Sequence, residues 1–110
     1  MLFAWDEWNI SHIARHRVTQ GEAEYVVAHG QEPWPQQKGD DKLVVWGPDQ
    51  AGRLLQVIFA IKRPDEIEFE SLTIDQWADL NENDRVVYVV HAMELTAAMK
   101  RQYRRRKKRQ

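Results

Sequence analysis

Two apolar runs joined by a polar turn constrain the fold of this chain more than any other feature. Residues 42–61 have the sequence KLVVWGPDQAGRLLQVIFAI, in which the runs 43–46 and 54–61 flank a turn containing Gly and Pro. Such runs, rich in Val, Ile, Leu and aromatic residues, predict paired β-strands. The second run is apolar at both alternating sets of positions, which is typical of a strand covered on both faces and central in its sheet. A third apolar run at residues 86–90 predicts a neighbouring strand.

Two helices are predicted ahead of these strands. Asp6 is a candidate N-cap for a helix that runs to about His16, with apolar side chains three and four residues apart facing the sheet. Thr19 and Glu22 match a capping box, which predicts a second helix over residues 20–28. DNA-binding proteins share this helix–turn–helix arrangement, but neither helix here carries a set of base-reading side chains.

The segment 62–84 is predicted to leave the sheet. Alternation of acidic and apolar residues over 66–70 predicts an edge strand that its charges protect against unwanted pairing. Thr73 and Gln76 then repeat the capping-box pattern ahead of a short helix.

The segment 31–41, ahead of the two apolar runs, is predicted to be a loop. In it Trp34 lies between two prolines, where it can stack on a base or, as we favour, pin the loop to the core.

A basic run follows the last predicted helix, which extends from residue 97 to about Tyr103. Residues 100–109 hold eight Lys or Arg and no acid, so the rest of the chain has eight basic residues against all 17 acidic ones, a balance of -9. A basic arm on an acidic body predicts contact with RNA or another polyanion. The alternative is a solubilising tail, and we expect disorder beyond Arg104 because nothing apolar follows it.

The length and composition favour one small cytoplasmic domain. We assign residues 1–103 to an α+β domain and residues 104–110 to a basic tail. The chain has no Cys, which excludes disulfides and is typical of a reducing compartment. No apolar run approaches the length of a membrane span, so no membrane partner is predicted. His12 and His16 have metal-ligand spacing, but no third ligand accompanies them, and we predict neither metal nor cofactor.

Three segments together resemble one protein family. WDEWNISHIARHRVT with EAEYVV resembles the opening of BrnT-type toxins, GRLLQVIFAI resembles their central strand, and HAMELTAAMKRQYRRR resembles their closing helix. The resemblance implies a RelE-like α+β fold, with a small antiparallel sheet, two N-terminal helices and a basic C-terminal helix. It also implies the toxin of a type II toxin–antitoxin pair, an endoribonuclease that a cognate antitoxin protein holds silent.

Three features depart from the pattern of that family. Arg17 stands where the family commonly has Gly, and a left-handed backbone there would cost an arginine about 1–2 kcal/mol. Residues 62–84 look like an insertion, and Met99 and Lys100 stand where related sequences often carry an acid and an arginine. These departures bear on the activity more than on the fold.

Cleavage of RNA without a metal requires removal of the 2′-hydroxyl proton, stabilisation of the phosphorane and protonation of the 5′-oxygen. Histidine suits the proton transfers because its usual pKa of about 6.5 lies near working pH, and arginine grips two phosphate oxygens at once. The predicted catalytic residues are His91, Arg101, Arg104 and, from the resemblance, His16. The predicted RNA-binding residues are Arg53, Tyr103, Arg105, Arg106, Lys107 and Lys108.

Structural roles are the alternative for three of these residues. His91 can bond a backbone carbonyl at a strand end, Arg53 can brace its turn, and Tyr103 can pack on the sheet. The predicted function is accordingly a metal-independent endoribonuclease that inhibits growth, with RNA and an antitoxin as partners. The rival prediction is a non-catalytic RNA- or protein-binding module with a basic arm, and a homo-oligomer stays open under both.

Overall fold

The computed structural model describes residues 1–108, and the chain has an α+β fold, as predicted. Within these residues it forms five strands, four α-helices and two short 3₁₀ helices. The strands are β1 (Phe3–Ala4), β2 (Gln36–Lys38), β3 (Lys42–Pro48), β4 (Leu54–Lys62) and β5 (Val86–Glu94). The α-helices are α1 (Glu7–Ala14), α2 (Gln20–Ala28), α3 (Ile74–Asp79) and α4 (Ala97–Lys108). The 3₁₀ helices span Pro64–Glu66 and Phe69–Ser71.

All five strands belong to one sheet, in the order β1-β5-β4-β3-β2. β4 lies in the middle and pairs antiparallel with both β3 and β5, as its two apolar faces predicted. β1 pairs parallel with β5, so the sheet is mixed instead of wholly antiparallel. Because β1 and β5 lie far apart in the chain, no hairpin turn sets their relative direction. β2 is a short edge strand in the segment predicted to be a loop.

The two N-terminal helices begin at the predicted caps. The Asp6 side chain accepts from the Asn9 backbone amide at 3.0 Å, while the Asn9 side chain accepts from the Asp6 amide at 2.8 Å. Thr19 and Glu22 make the same reciprocal pair at the start of α2. α1 ends at Ala14, two residues before the predicted end.

Arg17 lies between the two helices with a left-handed backbone, at φ 60°. This left-handed conformation is the one considered from the sequence, because BrnT-type toxins commonly have Gly at this position. An arginine there carries a steric cost that glycine avoids.

Two apolar clusters cover opposite faces of β5. Val87 and Val89 belong to the main core, which also contains residues of α1 and α2. Val86 points the other way, because side chains alternate along a strand, and it packs with Leu72 and Ala4 in a smaller cluster. The segment 62–84 therefore supplies the cover for the second face at this end of the sheet.

Two predictions for the later part of the chain were wrong. The segment 66–70 is not an edge strand, because 3₁₀ turns at Pro64–Glu66 and Phe69–Ser71 interrupt the alternating pattern. α4 does not end near Tyr103 but continues through Lys108. The Nη1 of Arg106 donates to the side-chain oxygen of Gln36 at 2.8 Å, a tertiary contact that anchors the extension. Residues 109–110 of the predicted tail lie outside the described part of the chain.

Trp34 pins its loop to the core, as favoured from the sequence. Its side chain is 6% exposed, and its ring lies 5.8 Å from that of Trp46 and 5.2 Å from that of Tyr103. This aromatic group joins the loop, β3 and α4.

Candidate functional site

An irregularity in β5 orients the residue at the centre of the site. Ile58 of β4 pairs with His91, but the next residue, Phe59, pairs with Val89, so Val90 has no partner on β4. The extra residue is a β-bulge, a feature that is frequent beside active sites because it re-aims a side chain. Strict alternation after Val89 would have directed His91 into the main core.

The composition of the core shows the effect of the bulge. Val87, Val89 and Ala92 all belong to the main core cluster, although the last two are three residues apart. Ala92 takes the buried position that regular alternation would have given to His91. His91 is half-buried instead and is free to contact other polar side chains.

Three histidines converge at this point. The Nδ1 of His91 lies 3.5 Å from the Nε2 of His12, at the upper limit of hydrogen-bond contact. The ring centre of His91 lies 4.9 Å from that of His16 and 5.6 Å from that of His12, with both pairs edge-on. We call His12, His16 and His91 the histidine cluster. It unites the two histidines predicted to be catalytic and adds a third.

Helix α1 and the turn after it hold the two N-terminal members of the cluster. His12 lies on α1 and His16 lies in the turn after the helix, and the rings of both face His91. Ile13, between them, is 1% exposed and fixes this side of the chain against the core. Trp8 stacks on His12, with ring centres 4.7 Å apart and planes within 9°. The imidazole of His12 is thereby held between an indole and His91.

The surroundings of His91 favour its neutral form. Burial lowers the pKa of His91 below its usual value of 6.5, and the nearby charges of His16, His12 and Lys38 lower it further. A neutral imidazole is the form that accepts a proton, so His91 is suited to act as a base near neutral pH. Lys38, on the edge strand β2, is the smallest of these causes.

His91 and Gln36, the residue that α4 contacts through Arg106, lie on the same face of the sheet. Gln36, Val44, Ile58 and His91 are successive cross-strand partners from β2 to β5, and such partners project on the same face. Arg106 of α4 binds Gln36 at the far end of this row. With about 4.8 Å between strands, Gln36 and His91 lie roughly 14 Å apart.

The other predicted residues of α4 divide into an outer and an inner set. Arg101, Arg104 and Arg105 are exposed. Tyr103 is 7% exposed and packs on Trp34, which is the structural role considered for it. Among residues 97–107 of α4, no cation forms a hydrogen bond or a ring contact with the histidine cluster. The predicted arginine clamps therefore do not touch His91.

Arg106 and Lys107, near the end of α4, each lie near an aromatic ring. The guanidinium of Arg106 lies 5.8 Å from the ring centre of Trp46, and the Nζ of Lys107 lies 5.8 Å from that of Tyr103. Lys108 ends the helix.

Arg53 has a structural role in place of the predicted contact with RNA. Its Nη2 donates to the carbonyl oxygen of Arg17 at 2.9 Å and to Glu22 at 3.3 Å, and its Nε lies 3.6 Å from Asp49. Two carboxylates and a carbonyl therefore occupy the guanidinium. These contacts brace the β3–β4 turn against the start of α2.

Three residues at the site escaped the sequence analysis. His12 was considered only with His16 as a metal site without a third ligand, although the spacing of the two was a signal that they act together. Trp8 gave a weaker signal, as an aromatic residue one turn before His12. Lys38 gave none, because β2 was not predicted and its place in the sheet depends on pairing with β3.

Three further findings concern metal sites, membrane spans and related proteins. No group of three or more His, Cys, Asp or Glu side chains within residues 1–108 has an arrangement that could hold a metal ion. Among the helices of the same residues, none combines the length and apolar character needed to cross a bilayer. No family model, curated protein or solved structure matches this chain. The similarity to BrnT-type toxins therefore stays a prediction.

Proposed function

We propose that this chain is a metal-independent endoribonuclease that cleaves single-stranded RNA at the histidine cluster. The observation that carries the proposal is the convergence of His91, His16 and His12, with the pKa of His91 lowered by burial and by neighbouring charges. A neutral base next to further imidazoles and a cation supplies the three functions that phosphodiester cleavage requires.

The proposed reaction begins with attack of a 2′-oxygen on the adjacent phosphorus. Neutral His91 takes the 2′-hydroxyl proton as the 2′-oxygen bonds to phosphorus. The bond from phosphorus to the 5′-oxygen then breaks, and His16, which is exposed, acts as the acid that gives a proton to that oxygen. Lys38 offsets the charge that develops on the phosphorane. The products are a 2′,3′-cyclic phosphate and a free 5′-hydroxyl.

The basic helix α4 supports the proposal because it can bind an RNA strand that extends beyond the histidine cluster. Arg101, Arg104 and Arg105 are exposed, and Arg106 lies on the same sheet face as His91. At roughly 14 Å from His91 along the sheet, α4 is suited to bind phosphates of flanking nucleotides, not the scissile one. We assign the arginines to binding the RNA and the histidines to proton transfer.

The resemblance to BrnT-type toxins supports a biological role for this activity. Under that role the chain inhibits growth by cleaving RNA, and a cognate antitoxin protein holds it silent. Expression of the chain alone in a bacterium should arrest growth, and co-expression of the small protein encoded beside it should relieve the arrest. Growth that continues at normal rate with full-length protein present would contradict the toxin role.

Cleavage of a fluorescently labelled single-stranded RNA tests the enzymatic part. His91→Ala should lower the rate by about 10²–10⁴-fold with little effect on RNA affinity. His29→Ala is the matched control, because His29 stacks on Tyr25 and contacts none of the cluster. Wild-type activity should persist in excess EDTA. A wild-type chain that binds the RNA and leaves it uncut would overturn the proposal.

The second candidate function is a non-catalytic RNA-binding module. It is favoured by one observation, that the exposed arginines of α4 make no described contact with the histidine cluster. In a ribonuclease, Arg101→Ala should weaken both binding and cleavage, since a phosphate grip acts before and during the reaction. In a binding module, Arg101→Ala should weaken RNA binding alone, and the wild-type chain should leave the RNA intact.

A further inference from the structure

A large acidic cleft runs along the outer side of α1. It has a volume of about 920 Å³. Trp8 and His12 of α1 border it, together with Glu68 and Glu70 at the second 3₁₀ helix, Phe69–Ser71. Its carboxylates are those of Asp6, Glu7, Glu68 and Glu70. We call this site the acidic cleft.

Three of these carboxylates are available to a partner. Asp6 is committed to the α1 cap and to the hydroxyl of Tyr88, which donates to it at 2.9 Å. Glu7, Glu68 and Glu70 are exposed, and no ion pair among the side chains of residues 1–107 involves them. Arg15 also lines the cleft, but the carboxylates outnumber it, so the net negative charge favours a cationic occupant and disfavours the phosphates of RNA.

Trp8 adds a specific way to hold such an occupant. It is 55% exposed, and His12 covers only one face of its ring. A guanidinium lying on the face of a tryptophan gains a cation–π interaction, and tryptophan is the best of the aromatic residues for this. An exposed indole beside free carboxylates is therefore complementary to arginine.

The chain itself carries the matching surface. Arg101, Arg104 and Arg105 are exposed on α4, and Arg101 and Arg104 lie on one side of the helix because they are three residues apart. α4 contacts Gln36 of β2, at one edge of the sheet. The acidic cleft adjoins Asp6 just after β1, at the opposite edge. The basic and acidic surfaces thus lie at opposite ends of the sheet.

We propose that the exposed arginines of α4 in one copy of the chain bind the acidic cleft of a second copy, head to tail. An interface between two different surfaces of the same protein is heterologous, and it adds further copies unless it closes into a ring. Because the contact is mainly between exposed charges, it forms at low salt and weakens as salt screens them.

Head-to-tail association has a consequence that rests on the proposed function. The docked helix covers Trp8 and His12, which border the acidic cleft, and it occupies the arginines assigned to RNA. Self-association and RNA cleavage therefore exclude each other, so RNA competes with the second copy.

Two charge-neutral variants test the interface by sedimentation velocity on RNA-free full-length protein. The wild type should associate at about 0.01 M salt, where charges act over roughly 30 Å, and dissociate at about 1 M. The cleft variant Glu68→Gln/Glu70→Gln and the helix variant Arg101→Gln/Arg104→Gln should each associate about 10-fold more weakly. Asp79→Asn/Glu82→Gln, which removes two acids away from the cleft, is the matched control and should associate like the wild type.

Mixing the two variants gives the decisive result. The cleft variant keeps its helix and the helix variant keeps its cleft, so an equimolar mixture should form a 1:1 dimer and nothing larger. A mixture that stays monomeric, a control as weak as the cleft variant, or association that disappears on nuclease treatment would each overturn the proposal. No cleavage is measured, so this outcome is independent of whether the chain is a ribonuclease.

Discussion

The Nδ1 of His91 lies 3.5 Å from the Nε2 of His12, although 79 residues separate them in the sequence. A charge on His12 disfavours a second positive charge on His91, which is one of the causes that lower the pKa of His91 after burial. The contact depends on the β-bulge at Val90, which keeps His91 out of the core.

The lowered pKa of His91 predicts how stability varies with pH. His91 has a pKa of about 6.5 in the unfolded chain, which therefore binds a proton there more readily than the folded chain does. The contribution of neutral His91 to the stability of the fold is complete above about pH 6.5 and is lost as pH falls through the folded pKa. The Tm should fall between about pH 7 and pH 5, and it should fall less in His91→Gln. His29→Gln is the control and should follow the wild type. An identical decline in wild type and His91→Gln would contradict the prediction.

The central position of β4 predicts a large effect at Phe59. Its side chain is 4% exposed in the main core, so Phe59→Ala should lower the free energy of unfolding by about 3–5 kcal/mol. Ile61 on the same strand is 46% exposed, and Ile61→Ala should cost well under half as much. Urea unfolding of both variants checks the difference. Equal losses would show that β4 is not buried as described.

The left-handed backbone of Arg17 predicts a stabilising substitution. Arg17→Gly should raise the free energy of unfolding by about 0.5–1 kcal/mol, since relief of about 1–2 kcal/mol of steric cost is partly offset by the greater entropy of glycine in the unfolded chain. Gly39→Ala, at φ 73°, is the reverse experiment and should destabilise. The same urea titration measures both, and a less stable Arg17→Gly would refute the assignment.

The exposed arginines of α4 predict the salt dependence of RNA binding. Arg101→Gln/Arg104→Gln should lower the slope of log affinity against log salt by about 1.4, or about 0.7 for each phosphate of a single strand that the variant no longer neutralises. Arg53→Gln should leave the slope unchanged, because Glu22 and Asp49 already occupy this guanidinium. Fluorescence anisotropy over a salt series gives the slopes. Point substitutions are preferable to truncation after Tyr103, which would also remove the hydrogen bond from Arg106 to Gln36.

Local patterns in the sequence were sufficient for most of the elements. The caps at Asp6, Thr19 and Thr73 begin the helices predicted for them, because a cap acts through hydrogen bonds to residues two or three positions away. The apolar runs became β3, β4 and β5 for a similar reason, since a run of Val, Ile, Leu and aromatic residues is a property of that segment alone. The alternation at residues 66–70 did not predict a strand correctly, because 3₁₀ turns at Pro64–Glu66 and Phe69–Ser71 interrupt it.

The sequence by itself determined the α+β class and the central strand, and it singled out His91 and, through the resemblance, His16, whose rings the structure brings together. Tertiary structure alone decided that His12 and Lys38 lie near them, that Arg53 is occupied by carboxylates, and that α4 extends beyond Tyr103. These features depend on the register between strands and on contacts between segments far apart in the chain. A one-residue shift in pairing turns a side chain to the other face of the sheet, and no pattern within β5 reveals that β4 leaves Val90 unpaired.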